Sequence, residues 1–190
     1  VRARDRAGVG EGSGAGARAR SPRAGARPAG ADADHRRHPP SRPPLLPRLY
    51  NNIKPPSWLS HGCDLHLFKE GVEPKWEDPD CEAGGKWTAL VPKGPSGKAA
   101  LDVMWLNALL ACVGEQFAEG DEVCGVVVNV RAKQDKVCLW TRTAANEAAQ
   151  VSLGKQLKAV LDLDGAARVG YLVHADAMNL DRKAKDRYIV

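Results

Sequence analysis

Two β-rich runs, VCGVVVNVRA (residues 123–132) and KVCLWTR (136–142), are separated only by Lys133, Gln134 and Asp135. So short a polar connection admits a hairpin and no crossover, so the runs pair antiparallel. CDLHLFKEGVEP alternates as a strand through about Glu70 and is ended by Gly71 and Pro74. GGKWTALV opens on a glycine pair and reads as another strand, RVGYLVHA as a further one, and RYIV as a short one. AALDVMWLNALLACVGEQF repeats apolar residues at three and four (Leu106, Leu109, Leu110, Val113, Phe117), which predicts a helix. Thr143 is placed to cap a second helix over 144–162, with Glu147 early in it and Leu153, Leu157, Val160 and Leu161 as its apolar stripe. Antiparallel strands with a few helices, and no βαβ alternation, predict an α+β sheet covered by helices on one face.

Charge is distributed unevenly. Residues 1–48 hold eleven Arg, four acids and no Lys, a net +7, and since the whole chain is +5, residues 49–190 carry −2. The high isoelectric point therefore belongs to the first segment, and the rest is not a basic nucleic-acid binder by composition. That segment has almost no apolar periodicity and is expected to be disordered, with a folded domain over 49–190. Three origins are open for it: an arginine-rich RNA-binding tail, a leader without a task, or a mistranslated GC-rich frame, which the absence of Lys favours. No apolar run suits a signal peptide or a membrane span. The five cysteines lack Cys-x-x-Cys spacing and paired histidines, so no metal site is expected. His61, His66 and His174 are dispersed and no glycine-rich phosphate loop is present, which speaks against an enzyme acting on nucleotides.

Period two puts Lys136, Cys138 and Trp140 on one face of the hairpin's second strand, with Arg131 and Lys133 near the turn. Such charges suit a solvated turn; an aromatic with several cations also suits a nucleotide, base on the ring and phosphates on the cations. EPKWEDP sets Trp76 against Glu77 between Pro74 and Pro79. Taken alone, Trp76 reads as a lid over the core. A carboxylate also matches the N1–H and N2–H₂ donors of guanine, and a Trp face attracts a cationic ring.

The runs LYNNIKPPSWL, GCDLHLFKEGVEPKWEDP, GGKW, MWLNALLACVGEQF, DEVCGVVVNVRAKQDKVCLWT, NEAAQ, HADA and RYIV together resemble the eukaryotic translation initiation factor 4E family of mRNA cap-binding proteins, in its plant-type form, across 49–190. The resemblance implies a curved antiparallel sheet backed by helices on its convex face, no cofactor, no catalysis and a cytoplasmic place in translation initiation. It implies that Trp76 stacks on 7-methylguanine, that Glu77 accepts the guanine hydrogen bonds and that Trp140 touches the N7-methyl. Arg131 and Lys136 match the cations on the cap phosphates, with Lys133 and Lys86 as outer contributors. Leu106, Leu110, Trp105 and Asn107 lie in the motif that binds a helical Tyr-x-x-x-x-Leu-apolar peptide of the scaffold subunit, although for Trp105 and Leu109 core packing is the stronger expectation. Cys81 and Cys124 match two cysteines that can come together in plant-type members, which leaves a reversible disulfide and two separate thiols both open.

The chain also departs from the family pattern. Residues 1–48 contain no Trp, so the second stacking tryptophan and a supporting dorsal tryptophan have no counterpart there. The family's first two strands are expected to be missing. The alternative function that follows is a truncated variant that has lost cap binding and keeps partial partner binding.

Overall fold

The computed structural model of the chain describes residues 50–190 apart from 93, 95 and 180–184. All of these lie in one unit, Pro44–Val190; the expectation of disorder over 1–48 falls outside the described residues. Six strands form a single antiparallel sheet: β1 (Asp64–Phe68), β2 (Gly85–Leu90), β3 (Val123–Asn129), β4 (Lys136–Thr141), β5 (Val169–Val173) and β6 (Tyr188–Ile189). Their spatial order is β1-β3-β4-β2-β5-β6. Among the described residues, three α-helices accompany them: α1 (Gly97–Val113), α2 (Glu147–Val160) and α3 (His174–Asn179).

Alternation along the strands separates two faces. In β2, Gly85, Trp87 and Ala89 are buried while Lys86 and Thr88 are half-buried and Leu90 is exposed. Trp87 and Ala89 join Val126, Val128, Val137, Leu139, Val169 and Tyr171 in one core with Leu101, Met104, Trp105 and Leu109 of α1 and Leu153 and Leu157 of α2. Helices therefore back one face of the curved sheet, as α+β packing requires. Lys86, Thr88, Lys136, Cys138 and Trp140 stand on the other face.

Four boundaries differ from the sequence expectation, each for a local reason. β1 stops at Phe68 because the chain turns at Lys69, whose carbonyl accepts from Val72 N–H, and Gly71 takes a positive φ of 85°. α1 ends at Val113 and not at Phe117. Gly114 donates to the Leu110 carbonyl, Glu115 turns left-handed at φ 50°, and Gln116 N–H reaches back to Ala111 O, so Phe117 folds into the core from outside the helix. The cap of α2 is Asn146, whose Oδ1 accepts from Ala149 N–H, and not Thr143. Buried Ala144 donates to Ala83 O, which fastens residues 143–145 to the loop before β2 and delays the helix. Finally, β5 gives way to α3 at His174, whose N–H donates to Gly84 O, so the HA of RVGYLVHA is helical.

Candidate functional site

The sheet register assembles the face opposite the helices. Lys86 lies opposite Trp140, Thr88 opposite Cys138 and Leu90 opposite Lys136. A cleft of about 590 Å³ on this face is lined by Lys86, Arg131, Lys136 and Arg168 among others, with Asp186 as the one acid among its lining residues. Three expected cations thus share a cleft. Lys133 sits exposed in the hairpin turn and is not among the lining residues.

Arg131 is held in place by the protein. Its Nη2 donates to Asp64 Oδ2 at 2.9 Å, while Nη1 donates to the carbonyls of Cys63 and Val130 and lies 2.8 Å from Asp64 Oδ1 in an ion pair. Asn129 Nδ2 donates to the same carboxylate at 2.7 Å. Burial disfavours the ionised Asp64, but the hydrogen bonds from Arg131 and Asn129 outweigh it and hold the carboxyl below its usual range.

Trp140 is half-buried and in contact with two rings. Phe68 meets it edge-on at 5.5 Å, and the His174 ring lies 4.4 Å from it, tilted by 46°. Lys86 Nζ stands 6.0 Å from its centroid, which links the aromatic to the cationic cleft. Gly125, opposite both Phe68 and Trp140, leaves this cluster its room: a Cβ there would meet the Phe68 ring at 2.6 Å. Burial, with Lys86 adding repulsion, brings the pKa of His174 down to about 4, so its ring is neutral at physiological pH.

Trp76 and Glu77 occupy the loop over 69–84, and Trp76 is 43% exposed, which is not the exposure of a core lid. Asp78 closes the loop by accepting from the Glu73 and Asp80 N–H groups, and these two bonds hold its carboxyl below the usual range. The loop is tied to the sheet near Trp140. Asp80 pairs with Arg142 at 3.1 Å, two residues beyond Trp140, and accepts on its carbonyl from the Cys124 thiol at 3.2 Å. Among the described residues, no hydrogen bond or ring contact joins Trp76 or Glu77 directly to the cationic cleft.

Cys81 and Cys124 are both buried, free thiols. Burial, with the neighbouring Cys124 adding to it, pushes the Cys81 thiol up to about 12. Each thiol influences the other's ionisation, which makes Cys81 and Cys124 neighbours. No cluster of His, Cys, Asp or Glu among the described residues could hold a metal ion.

On the helical side, Val103, Leu110 and Val113 are exposed, and Leu106 and Asn107 are half-buried on α1. Trp105 and Leu109 are buried in the core, in line with the packing expectation. Ser57, through its N–H and hydroxyl, donates to Asp102 at 2.9 and 2.6 Å and fastens the preceding segment to α1. Sequence reasoning misses Arg168, Asn129 and Asp64. Alternation along RVGYLV places Arg168 on the face of Gly170 and Leu172, but only the strand order brings that face beside Lys136.

A single curved antiparallel sheet, with helices behind it and a face carrying cations and an aromatic opposite them, defines an α+β protein built on one sheet. The sequence model described as eukaryotic initiation factor 4E matches residues 46–189, and the chain belongs to that family. It is 55% identical over 142 residues to eukaryotic translation initiation factor 4E-1 of Glycine max, covering 75% of this chain and 57% of that protein. Against the factor 4E-1 of Arabidopsis thaliana the identity is 54% over 140 residues, 74% of this chain and 57% of the relative. The chain thus spans under two thirds of the length of these curated relatives. Among solved structures, the complex of C. elegans eIF4E-3 with the 4E-binding protein Mextli is similar with a TM-score of 0.70 and 40% identity, over 76% of this chain and 79% of that one. The complex of Ascaris suum eIF4E-3 with m7G cap gives a TM-score of 0.70 and 40% identity, over 76% and 78%. No helix among the described residues is long and apolar enough to cross a membrane.

Proposed function

We propose that this chain binds the 7-methylguanosine cap of mRNA in the cytoplasmic cap-binding complex of translation initiation, without catalysis or cofactor. One observation carries the reading. β4 presents Trp140 and Lys136 on one face, about 13 Å apart along the strand, with the Trp76–Glu77 loop tied near the aromatic end and the cationic cleft at the other. A nucleotide has the same polarity, base at one end and phosphates at the other.

Each side chain has a role in that reading. Methylation leaves the guanine ring cationic, and the Trp76 face attracts it beyond ordinary stacking. Glu77 accepts from N1–H and N2–H₂, and Trp140 packs on the methyl. Arg131 and Lys136 pair with the phosphates, with Lys86, opposite Trp140, and Lys133, at the rim, as outer contributors. Behind the sheet, Leu106, Leu110 and Asn107 offer the partly exposed face of α1 to a helical Tyr-x-x-x-x-Leu-apolar peptide of a scaffold subunit, with Trp105 packed beneath it. The relatives' complexes with m7G cap and with the 4E-binding protein Mextli support both halves of this reading.

Retention on a 7-methylguanosine triphosphate resin is the test. The chain is expected to be retained and eluted by free cap analogue, while Trp76→Ala passes through, since one stacked base is worth about 1–3 kcal/mol. Equal retention of both forms removes Trp76 from the site. Failure of the unsubstituted chain to bind, with peptide binding intact, assigns it to the truncated-variant reading.

A further inference from the structure

The cationic cleft continues beyond the residues given to the cap. Arg168 lines it and forms no ion pair or hydrogen bond among the described residues. It stands one step before the last paired position of β5, Val169 opposite Ala89, so the register carries it across from Leu90, and Leu90 pairs with Lys136. The row Lys136, Leu90, Arg168 thus crosses three adjacent strands. At about 4.8 Å per strand, the two cations flank Leu90 with backbones about 10 Å apart.

Between these charges stands Leu90, 51% exposed; Ile189, 49% exposed and lining the same cleft, lies on β6 opposite Gly170 and continues the apolar surface beyond β5. A nucleotide fits this pattern: its ribose and base cover apolar surface while its flanking phosphates meet the charges. Asp186, over Gly170 on the far side of β5, adds a negative boundary there.

We propose that Arg168 binds the backbone phosphate on the far side of the nucleotide next to the cap, whose cap-side phosphates meet Lys136, while Leu90 supports that intervening nucleotide. The cleft would then take a capped RNA chain in preference to the cap alone. This rests on the cap-binding reading above, and its test separates the two.

Binding of 7-methylguanosine diphosphate and of a capped ribo-pentanucleotide is titrated by fluorescence for the full chain, Arg168→Gln and Arg168→Lys, at several salt concentrations. Arg168→Gln is expected to weaken the pentanucleotide about threefold to fivefold, to leave the diphosphate unchanged, and to reduce the salt slope for the pentanucleotide by about 0.7. Arg168→Lys should retain most of the wild-type affinity. An equal loss for both ligands, or for neither, overturns the assignment of Arg168 while leaving the cap site standing. A correctly folded chain that binds neither ligand overturns the cap reading, and this inference with it.

Discussion

Both carboxylate oxygens of Asp64 hold the Arg131 guanidinium, so in the proposed role this cation would meet a phosphate already oriented and with its charge shared. Lys136 has no such partner among the described residues. The two therefore differ on truncation. Lys136→Ala should weaken binding of 7-methylguanosine triphosphate up to about fivefold, the range of an exposed ion pair. Arg131→Ala also strands a part-buried carboxylate, and should cost about 1.5–3 kcal/mol. Neither change should alter binding of the bare 7-methylated nucleoside, which has no phosphate, and an equal loss there would mean that they act through folding. Acid stability reports on two further residues. His174 has a folded pKa of about 4 against an unfolded value near 6.5, so the unfolded chain binds the extra proton first. Stability contributed by neutral His174 is complete above pH 6.5 and falls by about 3 kcal/mol as pH drops to 4. Asp64 has a depressed pKa, so its contribution is present above the ordinary carboxylate range and is lost at more acid pH. Urea unfolding of His174→Gln should show a flatter limb between pH 6.5 and 4 and an unchanged one below.

At the scale of elements, α2 shows how packing overrides helix propensity. Gly154 lies in its middle, where alanine is ordinarily better by about 1 kcal/mol. Here a Cβ would sit 2.6 Å from the Trp87 ring, and Trp87 is fully buried against Tyr171 at 5.1 Å. Gly154→Ala should therefore destabilise, by about 1–3 kcal/mol, as overpacking does. A gain in the urea midpoint would show that the ring moves aside freely. Asn146→Ala should cost about 0.5–2 kcal/mol through the lost cap, whereas Thr143→Ala loses no such bond. Thr143 contributes its backbone instead: its carbonyl accepts from Gln150 Nε2 and its N–H donates to Glu122.

For the molecule as a whole, the proximity of Cys81 to Cys124 couples the Trp76 loop to the sheet. A disulfide there would close about 40 residues and stabilise the oxidised chain by about 4 kcal/mol if chain entropy dominates. With the Cys81 thiol pushed up to about 12, thiolate is scarce at neutral pH, and oxidation should be slow there and quicken as pH rises. Diamide treatment should remove two of the five titratable thiols and raise the urea midpoint, with no change in Cys124→Ser. Loss of two thiols from that variant would place the oxidation elsewhere.

Much of the candidate site is legible in the amino-acid sequence alone. Alternation puts Lys136 and Trp140 on one strand face, and the two prolines keep Trp76 and Glu77 out of regular structure, because both effects act between neighbours in the chain. Strand existence and the apolar stripe of α2 follow from the same local periodicity. The order β1-β3-β4-β2-β5-β6 does not. It depends on pairings between residues tens of positions apart, and it alone sets Lys86 against Trp140, locks Arg131 to Asp64 and brings Arg168 into the cationic cleft. The start of α2 escapes local patterning for the same reason, since the bond from Ala144 to Ala83 that delays it joins distant segments. Local sequence determined which side chains share a face; long-range hydrogen bonding and burial decided which faces meet, because those contacts form only when the whole sheet closes on its helices.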